Sequence, residues 1–159
     1  MKKEYKRAIK KFSWILFILY LIGMAYFLFF SEYLNRGYVG KDYRYNIVLF
    51  KEVKRSFWCY HAGMYKYFIL NFVMNIVAFI PFGFFLPFLS KNANRRNFIY
   101  IVGSALEFTL IIEILQLILK VGTFDVDDIF LNTVGGIIGF ILFECSQVIY
   151  KSLRKVLRK

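Results

Sequence analysis

The 159-residue chain has one histidine, His61, and two cysteines, Cys59 and Cys145. So thin a supply leaves no Cys/His spacing of the kind that holds zinc. Cys59 lies in a polar stretch and Cys145 inside an apolar run, a placement that argues against a disulfide. No Ser- or Cys-centred nucleophile motif and no phosphate-cradling glycine loop is present. Proline occurs twice, at Pro81 and Pro87, both within one apolar run. Acids are scarce too: ten Asp plus Glu stand against 22 Lys plus Arg, a net charge of +12. Such a balance suits nucleic acid or an anionic membrane. The basic residues adjoin apolar segments, so the membrane surface is the expected partner and nucleic acid is not.

What the chain has in excess is apolar surface. It is 59% hydrophobic and 21% aromatic, with a mean hydropathy of +0.52. A soluble domain of this length is not that apolar. Four segments, 12–30, 67–89, 98–119 and 129–150, match the roughly 20 residues that cross a bilayer as a helix. The expected fold is an all-α integral membrane protein, a bundle of four transmembrane helices forming one domain over 1–159. The first segment follows a basic start. It is read as a retained helix, because its apolar run is long and no small-residue cleavage site follows Phe30. Segment 67–89 is interrupted by Pro81, Gly83 and Pro87. Proline removes a backbone donor and kinks a helix. Residues 31–66 read as a polar-aromatic loop. Its apolar patch at 46–50 is expected either to pack on the bundle or to lie at the interface. Residues 120–128 form a tight acidic turn between the third and fourth helices.

Loop charges set the orientation. The first 11 residues, the 90–97 loop with Lys91, Arg95 and Arg96, and the last nine residues hold 14 basic residues and one acid. The other side holds eight basic residues and six acids. The positive-inside rule then puts both termini in the cytoplasm of a multi-pass protein.

That topology gathers the polar residues of separate spans at the outer end. Asn71 and Asn75 are four apart and open the second span. Glu113 and Gln116 are three apart and close the third. Asp125, Asp127 and Asp128 form the turn, and Asn132 shares a face with Asp128. The face of Asp128 and Asn132 runs on through Gly135 and Gly139, a GxxxG spacing that lets two helix backbones approach closely. Asn132 and Asp128 are expected to point toward Glu113. A carboxyl at membrane depth costs about 2.5–3.5 kcal/mol on insertion scales, so Glu113 calls for a partner or a function. Each acid of the turn also has a plainer role as a helix cap, and each amide as interhelical glue. Glu107 lies about 120° around the helix from Glu113 and is expected to be a separate buried acid. His61 is expected at the surface.

The stretches NIVLF at 46–50, NIVAFIPFGFFLP at 75–87, EILQ at 113–116 and DVDDIFLNTVGG at 125–136 resemble the VanZ-like membrane proteins. The resemblance covers about 46–140. It rests on Asn46, Phe50, Asn75, Phe79, Pro81, Gly83, Glu113, Gln116, Asp125, Asp128, Asn132 and Gly135. Leu49 stands where many members have proline, and Val121 to Phe124 lack the arginine many carry before the aspartates. The resemblance implies a small protein of the bacterial cytoplasmic membrane linked to lowered glycopeptide susceptibility, teicoplanin resistance among them. It implies no established reaction.

Three functions remain open on the residues. The outer cluster binds an envelope lipid, a lipid-linked cell-wall precursor or a lipoglycopeptide. Or the chain is an intramembrane enzyme in which Glu113, Asp125 and Asp128 serve as acid and base or hold a divalent ion through oxygen. Or the cluster serves only assembly into an envelope complex. Four short spans without an internal repeat leave little room for a transporter. No cofactor and no resident metal is expected. The oligomeric state and any catalytic residue are left open.

Overall fold

The computed structural model describes residues 3–30, 42–90 and 97–156. The orienting charges at Lys91, Arg95 and Arg96, and those of 31–41 and 157–159, lie outside the described residues. Among the described residues, four helices are long and apolar enough to cross a membrane. They are α1 (Lys3–Phe30), α3 (Tyr65–Leu89), α4 (Phe98–Leu119) and α5 (Val126–Val156), with a shorter α2 (Lys51–His61) between the first two spans. Hydrocarbon demands that a span satisfy its own backbone, which a helix does through its internal hydrogen bonds.

Helices α3 and α5 run parallel and form the tightest seam. A Cβ at Gly83 would overlap the Gly136 carbonyl oxygen, one at Gly135 the Ile76 carbonyl, and one at Gly139 the Ile80 carbonyl. Backbone therefore meets backbone along both helices, a spacing that only glycine permits. Gly136 also abuts Ala105 of α4, whose Cβ lies 2.7 Å from where a Cβ on the glycine would sit. Helix α4 packs antiparallel to α5, with Ile101 against Phe140 and Phe143 and Ala105 against Gly136, while Ile112 packs on Met24, Leu28 and Phe79. Helix α1 leans on α3 through Phe17, Met24 and Leu28, with the Tyr20 hydroxyl donating to the Ala78 carbonyl at 2.6 Å. Phe79, fully buried, and Phe82, stacked 4.9 Å from Phe108, fill the centre.

Three features depart from the sequence reading. Helix α3 passes through Pro81 and Pro87 without a break. Its irregularity is upstream, a π turn at Ile69–Val73, where the Met74 amide reaches back to the Ile69 carbonyl. There the Asn71 and Asn75 side chains donate to the Tyr67 and Asn71 carbonyls. A widened turn leaves carbonyls without their usual donors, and amide side chains four residues on supply them.

The 42–64 stretch is not a plain loop. It contains β1 (Tyr45–Asn46) and α2, and β1 pairs in parallel with β2 (Phe124–Asp125). The patch after Asn46 stays exposed, with Ile47, Val48 and Leu49 at 69, 60 and 52%. Phe50 at its end does reach the bundle, with its ring edge-on to Phe130 of α5 at 5.3 Å. Third, Glu107 is exposed, contrary to the expectation of a buried acid. The buried face of α4 is Ile101, Ala105, Thr109, Ile112, Glu113 and Gln116. Glu113 lies toward one edge of it, so a further 120° carries Glu107 to the far side of the helix.

Candidate functional site

The acidic turn is shorter than nine residues of connection. Helix α4 ends at Lys120, in the left-handed region at φ 55°, with the Val121 amide donating to the Gln116 carbonyl. Only Val121 to Thr123 separate it from β2, and α5 starts at Val126. Asp127 and Asp128 therefore belong to the first turn of a helix.

Each carboxylate of this corner has separate work. Asp125 caps α5: its Oδ1 accepts the Asp127 amide at 2.8 Å, two residues on, as a helix N-cap does. The same oxygen accepts Asn46 Nδ2 at 3.0 Å, across the β1–β2 pair. The Asp125 amide donates to Glu113 Oε2 at 2.9 Å. Glu113 is thus held against the β2 backbone, 2% exposed. Asp127 is fully buried and caps a different helix. Its carboxylate accepts the amides of Phe50, Glu52 (2.7 Å) and Val53 (3.1 Å), the open N-terminus of α2. A carboxylate at that place meets both the unpaired donors and the positive end of the helix dipole. Asp128 accepts Asn75 Nδ2.

The remaining amides work within the bundle. Asn132 Nδ2 donates to the Thr109 hydroxyl at 2.7 Å, so its bond goes to α4 one turn below Glu113 rather than to Glu113. Gln116 donates from Nε2 to the Leu28 carbonyl at 3.0 Å, tying α4 to α1. Its buried Oε1 has no hydrogen-bond partner among the described residues.

Over this corner lies a cavity of about 610 Å³. Asn46, Asn71, Asp125 and Asp128 line it. Glu113, Gln116, Asn75 and Asn132 are not among its lining residues; Glu113 and Asn75 bond to the lining residues Asp125 and Asp128, while Gln116 and Asn132 bond within the bundle. The rest of the lining was not singled out in the sequence: Arg44, Lys51, Glu52, Arg55 and the rings of Tyr43, Tyr45 and Tyr67. Glu52 accepts the Tyr67 hydroxyl at 2.8 Å and lies 3.5 Å from the Arg55 guanidinium, which sits over the Tyr67 ring. The signal was there in part, since Glu52 and Arg55 are three apart at the start of a helix. The turn itself lacks an arginine, but Arg44, Lys51 and Arg55 share the cavity lining with Asp125. Arg44 comes from the chain end of β1, where its carbonyl accepts the Phe124 amide at 3.0 Å.

Burial drives the Asp125 carboxyl above its ordinary range, aided by the nearby negative charges of Asp127 and Glu52. The bonds from the Asp127 amide and Asn46 only partly offset this. A carboxyl with raised proton affinity thus shares the cavity wall with Arg44, Lys51 and Arg55. Among the described residues, no group of three or more His, Cys, Asp or Glu side chains is placed to hold a metal ion. His61 is exposed at the end of α2, against Tyr60. Cys59 is buried, Cys145 exposed, and both are free thiols.

Comparison with known proteins adds the family. Protein VanZ of Enterococcus faecium is 36% identical over 73 residues, which cover 46% of this chain and 44% of that protein. The matched stretch is thus under half of either length. No solved structure matches the chain. A family model described as VanZ/LLP1 matches residues 17–150, from within the first span to within the fourth, with the acidic corner and the cavity between them, and on that match this membrane protein belongs to the VanZ/LLP1 family.

Proposed function

We propose that this chain is a protein of the bacterial cytoplasmic membrane whose cavity faces outward and holds the headgroup of an envelope lipid, a lipid-linked cell-wall precursor or a lipoglycopeptide. Occupying that group lowers susceptibility to the glycopeptide teicoplanin. The observation that carries the reading is the mixed lining of the cavity. Arg44, Lys51 and Arg55 suit phosphate or carboxylate. Asp125, Asp128 and Asn71 suit hydroxyl and amide donors. Three tyrosines offer flat apolar faces with polar tips. The exposed aromatics of α2, Phe57, Trp58 and Tyr60, suit the headgroup depth of a bilayer.

The test is expression in a susceptible host, with teicoplanin susceptibility measured for wild type, Arg44→Ala and Asp128→Asn at equal membrane abundance. Protection by wild type that both variants weaken supports the reading; unchanged susceptibility with confirmed expression refutes it. Orientation has its own check. A Thr123→Cys thiol should react with an impermeant reagent added to intact cells.

A second reading, an intramembrane enzyme, draws on one observation: Asp125, its carboxyl raised by burial, lines the cavity beside Asp128. In that reading these two exchange the proton, and Glu113 positions Asp125 through its backbone. Asp125→Asn and Asp128→Asn would then each abolish a product in the envelope lipid profile. A binding protein leaves that profile unchanged.

A further inference from the structure

Most of the charge in the cavity wall is already engaged. Glu52 accepts the Tyr67 hydroxyl and pairs with Arg55, whose guanidinium rests on the Tyr67 ring. Asp125 accepts the Asp127 amide and Asn46, and Asp128 accepts Asn75. Two lining residues differ. The side chains of Arg44 and Lys51 are exposed and make no hydrogen bond, ion pair or ring contact among the described residues.

Backbone, not charge, fixes where these two stand. Arg44 leads into β1, and its carbonyl accepts the Phe124 amide across the strand pair. Lys51 opens α2, directly ahead of the Glu52 and Val53 amides that Asp127 holds. The fold thus brings two cations to one cavity and matches neither with a carboxylate. Together they offer a fork of guanidinium donors and a mobile ammonium, the pair of groups that suits phosphate.

The rest of the lining selects among anions. Asp125 and Asp128 share the cavity and oppose any negative group. A carboxylate or a phosphodiester brings one charge against that repulsion. A phosphate monoester brings about −1.5 to −2 at neutral pH and three acceptor oxygens, so it can engage both cations at once. Depth points to a lipid as its carrier. Trp58, 65% exposed, lies seven residues beyond Lys51 on α2, about 10 Å along the axis. An exposed tryptophan favours the headgroup layer, which is where lipid phosphates lie.

We infer that Arg44 and Lys51 together bind the doubly charged phosphate headgroup of a membrane lipid. The inference rests on the cavity being the ligand site proposed above, and narrows its ligand to one that carries such a phosphate.

Isothermal titration of the purified full chain in detergent tests it, at about pH 8, where a phosphate monoester holds close to two charges. The probes are dihexanoyl phosphatidic acid, whose phosphate is terminal, dihexanoyl phosphatidylglycerol, whose phosphate is a diester, and inorganic phosphate. Phosphatidic acid should bind about tenfold tighter than either of the others. Arg44→Ala and Lys51→Ala should each weaken its binding about tenfold. Lys54→Ala, which removes an exposed cation of α2 outside the cavity lining, should leave it unchanged. Arg44 and Lys51 have unbonded side chains, so the variants should melt with wild type. Failure of phosphatidic acid to bind, equal binding of phosphatidylglycerol, or a loss in Lys54→Ala as large as in Lys51→Ala overturns the inference. Equal binding of inorganic phosphate overturns the lipid as its carrier. Teicoplanin is absent from this assay. Phosphatidic acid binding without protection of cells would refute the resistance reading alone, and protection without that binding would refute this one alone.

Discussion

Replacing Asp127 by alanine should release the start of α2 from the bundle. Three backbone donors, from Phe50, Glu52 and Val53, end on this one carboxylate. Buried hydrogen bonds to a charged group are worth about 1.5–3 kcal/mol each. The three amides are only part-buried, and water replaces the carboxylate on opening. A figure of about 1 kcal/mol per bond is therefore appropriate, or about 3 kcal/mol in all. That raises the equilibrium constant for local opening on the order of 10²-fold. Asp127→Asn keeps one acceptor oxygen and turns an NH₂ group toward the remaining donor, so the rise should be smaller, about tenfold. Amide hydrogen exchange of the purified protein reads this directly at Phe50, Glu52 and Val53. Exchange on α4 serves as the internal reference. If those three amides exchange in Asp127→Ala as they do in wild type, the capping argument is wrong. The cavity should suffer with the cap, because Lys51, Glu52 and Arg55 ride on α2.

Gly83→Ala should destabilise the protein by about 1–3 kcal/mol through forced separation of α3 and α5, while Gly23→Ala, with open space around it, should be neutral or gain up to about 1 kcal/mol; thermal denaturation in detergent compares them. Asp125→Asn should stabilise the fold at neutral pH. The folded carboxyl is raised by burial, so its contribution is fully present below the unfolded carboxylate range and is lost as pH rises through the folded value. Above that point the ionised form is a cost, and asparagine removes the charge while its Oδ1 still accepts from Asn46 and the Asp127 amide. The gain should vanish in acid; a variant destabilised at neutral pH would contradict this. A double-mutant cycle of Asn132→Leu and Thr109→Val should return a coupling of about 1 kcal/mol for their buried hydrogen bond. Near-zero coupling would show that the bond contributes nothing net.

The four spans were legible because their signal is compositional: long apolar runs without lysine or arginine need no partner to be recognised. The GxxxG at Gly135 and Gly139 was legible as close packing for a similar reason, since spacing alone sets the face. The sequence could not reveal what the seam meets, and the partner glycine, Gly83, lies in a stretch whose prolines suggested a break. The acidic corner was legible as a cluster and misread in its wiring. Asp127 acts on amides 74 to 77 residues earlier, and the β1–β2 pair is two residues long. Neither contact leaves a period in the sequence. Arg44, Lys51 and Arg55 were counted as topology signals, because a charge beside an apolar run looks the same whether it faces solvent or a cavity. Glu107 is the reverse case. Its 120° offset was in hand, and only the centre of the buried face was missing.

The π turn at Ile69–Val73 resets the angular phase of α3. One additional residue rotates all that precedes it by about 100° relative to an unbroken α-helix. The glycine-bearing half can therefore be committed to α5 while Tyr67 and Asn71 still look into the cavity. Deleting one residue there should leave the transmembrane half seated and swing those two side chains away. Such a shortened chain would keep its melting behaviour while losing Tyr67 and Asn71 from the cavity lining.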